Sequence, residues 1–148
     1  MNVEETIKTS VKMPLETRTL IHLTLVHNKI YEVINNALKP FEISVQQFNV
    51  LRILRGHKGK PSNLCYINER MVSKMSNTTR LVDKLISKGY VNRFVCESNR
   101  RKVEILITEE GFEVLSKIDK VVADAEGIVV QNFSKAELEQ LNLLLDKF

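Results

Sequence analysis

The stretch INERMVSKMSNTTRLVDKLISKGYVNRF, residues 67–94, decides the reading of the whole chain. Between about Lys74 and Lys88 its apolar positions recur with the period of a helix, placing Met75, Thr78, Leu81, Val82, Leu85 and Ile86 on one side. Projected at about 100° per residue, Ser73, Ser76, Asn77, Arg80, Lys84 and Ser87 gather on the other side, which is short, polar and basic. Gly89 stops that helix. Beyond it YVNRFVC and KVEILIT read as the two strands of a hairpin, and the turn between them, ESNRR, is a basic tip.

Working upstream, Ser44 with Gln47 is a capping box that opens a helix whose Val45, Phe48, Leu51 and Leu54 face inward as far as Gly56. HKGKPS is a loop, and Asn63 caps a short helix carrying Leu64, Ile67 and Met71 inward. Helix, short helix, helix and hairpin is the order of a winged helix-turn-helix, in which the third helix enters the major groove and the hairpin tip reaches the backbone or minor groove. Base reading there needs side chains that donate and accept, because each base pair displays its own edge pattern. Ser76, Asn77 and Arg80 meet that need: Arg80 can fork onto guanine or hold a phosphate, Asn77 can pair with an adenine edge, and Lys84 suits a phosphate. Arg100 and Arg101 at the hairpin tip suit an anionic groove. A solvated helix face and a strand edge kept soluble by charge are the plainer readings of the same residues.

Working outward, Leu20, Leu23, Ile30, Val33, Ile34 and Ala37 mark a helix over 15–38, which Pro40 prevents from continuing. Thr108 caps a helix with Glu109 and Glu110 in its first turn, and Phe112, Leu115, Ile118, Val121, Ala125 and Ile128 mark its apolar side. Ser134 with Glu137 opens a last helix striped by Leu138, Leu141, Leu144, Leu145 and Phe148. The expected fold is therefore mainly α with a small β-hairpin wing, one domain over 1–148, in which 44–108 is the winged helix-turn-helix DNA-binding module. The helices over 15–38 and 109–148 carry more apolar positions than that module needs to cover itself, which fits N- and C-terminal dimerisation helices; completion of a monomeric core is the alternative.

The net charge of +4 is unevenly placed. Residues 44–108 hold thirteen Lys or Arg against four Asp or Glu, so the rest of the chain is net acidic. A basic centre with acidic flanks suits a polyanionic partner. No enzyme is expected: His22, His27 and His57 lack Cys, Asp or Glu neighbours at metal-ligand spacing, no phosphate-cradling glycine loop is present, and no catalytic residue, metal or cofactor is assigned. Cys65 and Cys96 cannot make a disulfide scaffold, no apolar run is long enough to span a bilayer, and the start lacks the apolar core of a signal peptide. A cytoplasmic location with no membrane contact is expected.

The residues from Ile67 to Gly111, and more loosely the chain from about Leu20 onward, resemble the MarR family of bacterial winged helix-turn-helix regulators. INERMVSKMSNTTRLVDKLISKGYVNRF is similar to the family's third helix, recognition helix and first wing strand, and NRRKVEILITEEG to its wing signature. The resemblance implies that Ser76, Asn77, Thr79 and Arg80 occupy recognition positions and that Arg101 is the wing arginine that enters the minor groove. The family often carries an acid two positions before that arginine, where this chain has Asn99, a hydrogen-bond acceptor without the charge. Also implied is a homodimer on double-stranded DNA, with two recognition helices about one turn apart, roughly 34 Å, or a multiple of it, on a near-palindromic operator.

The function implied is a sequence-specific transcriptional regulator, a repressor, released by a small-molecule effector. No ligand-binding residue is assigned; Tyr31, Phe41, Phe48 and His27 could line a crevice, but amphipathic core packing is the favoured account of them. Two other readings stay open: a protein-interaction module on a winged-helix fold, which would carry apolar anchors on its reading face, and a cysteine-based redox-sensing regulator using Cys65 or Cys96.

Overall fold

A computed structural model of the chain describes residues 1–74, 77–95 and 103–148. Its elements follow the order α1 (Val3–Thr6), α2 (Leu15–Leu38), a 3-10 turn (Lys39–Phe41), α3 (Val45–Gly56), α4 (Leu64–Arg70), α5 (Thr78–Ser87), β1 (Val91–Val95), β2 (Val103–Ile107), α6 (Glu109–Val130) and α7 (Lys135–Leu145). Mostly helix with one two-stranded antiparallel hairpin, this is the fold class expected from the sequence. The chain divides into two compact units, one of 1–36 with 124–148 and one of 37–123.

The unit of 37–123 is built on caps that satisfy the backbone groups left open at helix ends. The Ser44 hydroxyl accepts from the Gln47 amide and the Gln47 side chain accepts from the Ser44 amide, closing the capping box that starts α3. Asn63 accepts from the Tyr66 amide at the head of α4. Phe48, Val50, Leu51 and Leu54 from α3, Ile67 and Met71 from the α4 region, Val82 and Leu85 from α5, and Val91 and Ile105 from the hairpin form the buried core. The hairpin register sets Val91 opposite Ile107, Arg93 opposite Ile105 and Val95 opposite Val103. Ser62 adds an isolated bridge to Ile105, with each backbone amide donating to the other's carbonyl.

α5 ends in a Schellman motif: the Tyr90 amide donates to the Leu85 carbonyl and the Gly89 amide to that of Ile86, with Gly89 at φ +77. Glycine carries that left-handed conformation without steric cost. Thr108 then joins both ends of the hairpin to α6, its hydroxyl donating to the Gly89 carbonyl and accepting from the Gly111 amide.

The start of α5 differs from expectation. Its helix begins at Thr78, four residues beyond Lys74, because the Asn77 side chain takes the N-cap position and accepts from the Arg80 amide at 3.1 Å. Ser73 consequently lies on the turn ahead of the helix instead of on its polar face. Met75, Ser76, Cys96, Asn99, Arg100 and Arg101 fall outside the described residues.

In the unit of 1–36 and 124–148, the Arg18 guanidinium grips the Glu4 carboxylate through two hydrogen bonds, and Val3 is fully buried. The Ser134 and Glu137 capping box opens α7 as expected. Many of the apolar positions that stripe these helices face solvent in the single chain, among them Leu20 at 58%, Leu144 at 51% and Phe148 at 83%. On α6 Val122, and not Val121, is the buried member of its turn.

Candidate nucleic-acid interface

Helix α5 separates two kinds of side chain. Thr78, Val82 and Leu85 are buried, and the Thr78 hydroxyl donates to Asn68 on α4 at 3.1 Å, fixing the head of α5 against the shorter helix. Asn77, Thr79, Arg80 and Lys84 are exposed. Asn77, Arg80 and Lys84, with Leu81 and Gln46 of α3, line one open concavity of about 360 Å³. Gln46 was not among the residues singled out from the sequence. Its signal was present: as the outward residue in the first turn of α3, it is carried beside α5 by the packing of α3 on α5.

The cations of this unit sort into committed and uncommitted ones. Arg55 forms a two-pronged ion pair with Asp119, Lys88 pairs with Glu42, Arg93 pairs with Asp83, and Arg70 stacks over the Tyr66 ring at 3.5 Å. Lys74 donates to the Glu69 carbonyl. Arg80 and Lys84, like Lys39, Lys58, Lys60, Lys117 and Lys120 elsewhere in the unit, make no ion pair among the described residues. Two positive charges held open on a rigid helix face cost self-repulsion unless an anion meets them.

The structure thus brings Asn77, Thr79, Arg80 and Lys84 of the expected site onto the exposed part of α5 and puts Ser73 just ahead of it. Ser76, Arg100 and Arg101 cannot be placed, since they lie outside the described residues. Ser87 donates its hydroxyl back to the Lys84 carbonyl. Phe48 is buried under Arg52, whose guanidinium lies 5.5 Å from the ring centre, so it belongs to the core.

Cys65 is exposed on α4, and its thiol donates to the Glu69 carboxylate at 3.4 Å. That hydrogen bond and the carboxylate's negative charge raise the thiol pKa above its ordinary 9.0, which opposes the thiolate a redox sensor uses. Among the described residues no cluster of His, Cys, Asp and Glu could hold a metal, and no helix is long and apolar enough to cross a membrane.

A capped three-helix module followed by a two-stranded wing, with an open basic helix face, defines a winged helix-turn-helix protein. The sequence profile of the MarR family matches residues 43–103 of this chain. It is 27% identical over 128 residues to the HTH-type transcriptional regulator PecS of Dickeya dadantii, covering 84% of this chain and 76% of the relative. Its structure resembles wild-type apo MarR of E. coli, with TM-score 0.71, 26% identity and 93% and 98% of the two chains covered. A cysteine-to-serine mutant of E. coli MarR complexed with operator DNA superposes with TM-score 0.75 at 26% identity, covering 90% of this chain and 93% of that one. By profile, sequence and structure the chain is thus similar to MarR-family proteins, and the curated relatives it matches are described as transcriptional regulators.

Proposed function

We propose that this protein is a cytoplasmic repressor that binds a near-palindromic DNA operator as a homodimer and is released by a small-molecule effector. The observation that carries DNA binding is the uncommitted pair Arg80 and Lys84, set beside Asn77 on the exposed face of a helix whose opposite face is locked into the core. Residues 44–108 act as the DNA-binding module, with Ser73, Ser76, Asn77, Thr79, Arg80 and Lys84 at the major groove and Arg100 and Arg101 at the wing tip. The operator complex of the E. coli relative supports the same use of the fold.

Homodimerisation through 15–38 and 109–148 is supported by the exposed apolar side chains of those segments, including Leu20, Ile128, Leu143, Leu144 and Phe148. Apolar exposure on that scale marks an association surface. Effector release rests on the family resemblance alone.

The test is selection of duplexes from a random library by the purified protein, followed by binding to the enriched sequence across about 50 to 200 mM salt. Log affinity should fall linearly with log salt, and the enriched sequence should be an inverted repeat. Binding that ignores salt would end this reading. A protein that sediments as a monomer at micromolar concentration would end the dimeric part of it.

A further inference from the structure

We propose that the described reading face of α5 is an array of hydrogen-bond donors that selects guanine, and that Asn77 reads its base through its amide hydrogens alone. This deepens the DNA-binding reading above and rests on it.

A free asparagine in the major groove pairs with adenine in two-pronged fashion, accepting from N6 with its oxygen and donating to N7 with its nitrogen. Asn77 is not free in that sense. Its Oδ1 accepts from the Arg80 backbone amide at 3.1 Å, one of the first-turn amides of α5 that have no partner within the helix. Turning that oxygen outward toward adenine gives up the cap. While the cap holds, the groove meets Nδ2 and its two hydrogens.

The neighbours along the same concavity have the same polarity. Arg80 presents a guanidinium with five donors and no acceptor, while Lys84, one turn further, adds an ammonium suited to the neighbouring phosphate. Neither has an ion-pair partner among the described residues. Guanine is the base whose major-groove edge sets two acceptors, O6 and N7, side by side; adenine places the N6 donor next to N7, and cytosine offers only the N4 donor. Donors facing donors lose a hydrogen bond that water would otherwise supply, so this face discriminates against adenine and cytosine where it meets guanine. Thr79 is the exposed hydroxyl on this turn that can also accept.

The deciding experiment repeats the random-duplex selection with the full-length wild type, Asn77→Asp and Asn77→Ser. Aspartate and serine are both good N-caps, so α5 keeps its head in each variant, and circular dichroism checks that it does. Aspartate replaces the outward donors by acceptors and suits cytosine N4. Wild type should enrich guanine at one base pair per half-site where Asn77→Asp reverses the preference to cytosine by about tenfold and Asn77→Ser relaxes it. Because preferences are compared within each variant, a general loss of affinity from the added negative charge does not obscure them.

Replacing guanine by 7-deazaguanine at that pair should weaken wild-type binding several-fold and leave Asn77→Asp unmoved. Adenine enriched by wild type at the pair that Asn77→Asp alters would overturn the proposal, as would variants whose preferences match wild type at every position. A library that yields no enriched duplex at all would instead remove the DNA-binding reading, and this inference with it.

Discussion

The Arg93 guanidinium on β1 lies 2.7 Å from the Asp83 carboxylate on α5, tying the wing strand to the helix that carries Arg80 and Lys84. With the two side chains 34% and 52% exposed, solvent screens the pair, and its worth to stability is about 1 kcal/mol at most. Its consequence for binding should be of similar size, because the contacts proposed for α5 and for the wing depend on how helix and hairpin are set. Deleting the acid by Asp83→Asn makes α5 more positive, which by itself strengthens attraction to a polyanion. A weaker complex would therefore reveal positioning. We expect Asp83→Asn to lower duplex affinity about three- to tenfold, on the order of 1 kcal/mol, and the charge-swapped Asp83→Arg, Arg93→Asp double variant to recover part of the loss. Binding equal to or tighter than wild type by Asp83→Asn would show that the pair positions nothing.

Arg80 and Lys84 should separate by the kind of contact each makes. Arg80→Ala is expected to cost about 1 to 3 kcal/mol of operator binding and to relax discrimination at one base pair. Lys84→Ala should weaken binding to all sequences alike and reduce the salt slope by about 1, the mark of a lost phosphate contact. Arg101→Ala should behave as Lys84→Ala does if the wing tip meets the backbone. Fluorescence anisotropy on specific and scrambled duplexes, repeated at several salt concentrations, reads all three. Uniform effects from Arg80→Ala would reassign that residue to phosphate.

Two glycines on α6 should respond in opposite directions to alanine. A Cβ on Gly111 would stand 2.8 Å from Ile107 Cγ1 and closer still to the Tyr90 carbonyl oxygen, and backbone cannot move aside cheaply. Gly111→Ala should destabilise by about 1 to 3 kcal/mol through overpacking at the joint between hairpin and helix. Around Gly127 no atom lies within 4 Å of such a Cβ in the single chain, so Gly127→Ala should stabilise by roughly 0.5 to 1 kcal/mol by lowering the entropy lost in forming the helix. Urea melts of the two variants beside wild type give both signs. A Gly111→Ala protein as stable as its parent would mean that α6 can draw back from Tyr90.

Helix positions were legible wherever capping chemistry and periodicity agreed: Ser44 with Gln47, Asn63, and Ser134 with Glu137 all cap the helices expected of them. The start of α5 was misplaced because periodicity extends smoothly back to Lys74, while the Asn77 cap that overrules it is a choice among several polar residues in SKMSN. The same choice hid what Asn77 offers a base, since composition cannot tell an oxygen committed to a cap from a free one. Ser62 and its bridge to Ile105 were unreadable, because a one-residue pairing across 43 positions leaves no local pattern. The leucines of α7 were legible as a surplus apolar stripe, and Leu141, Leu143, Leu144 and Leu145 are exposed in the single chain; amphipathic spacing marks an apolar side and says nothing about what covers it.

The docking of α1 should depend on pH. The Arg18 guanidinium, hydrogen-bonded to Glu4, holds that carboxyl below its ordinary 4.5, with the helix backbone and the charge of His22 acting in the same direction. A carboxylate whose pKa is depressed by folding contributes its stabilisation fully above the unfolded value and loses it as pH falls through the folded one. The contact should thus persist at neutral pH and fade below about 4.5, freeing Val3 from its buried position. The protection of amides 3–6, taken relative to the intrinsic exchange rate at each pH, should fall on acidification in wild type, whereas Glu4→Gln should be weakly protected at every pH. Equal protection in the two proteins at pH 7 would show that Val3 burial alone holds the segment.

The chemistry of Cys65 gives the sharpest separation between a regulator that senses oxidants through α4 and one that does not. Its thiol donates to Glu69 and its pKa is raised, so at pH 7 to 8 the reactive thiolate is scarcer than in an ordinary exposed cysteine. In a Cys96→Ser background, iodoacetamide should alkylate Cys65 more slowly than an unstructured peptide thiol, and Glu69→Gln should speed the reaction by removing both the charge and the carboxylate acceptor. The rate gap between the Glu69 variant and its parent should narrow only as pH rises past the parent's raised pKa, beyond the ordinary 9.0, where the thiolate forms in either protein. An alkylation rate in the parent at or above that of the free thiol at pH 7 would mean that the hydrogen bond to Glu69 does not control this sulfur, and would return Cys65 to the candidates for an oxidant switch.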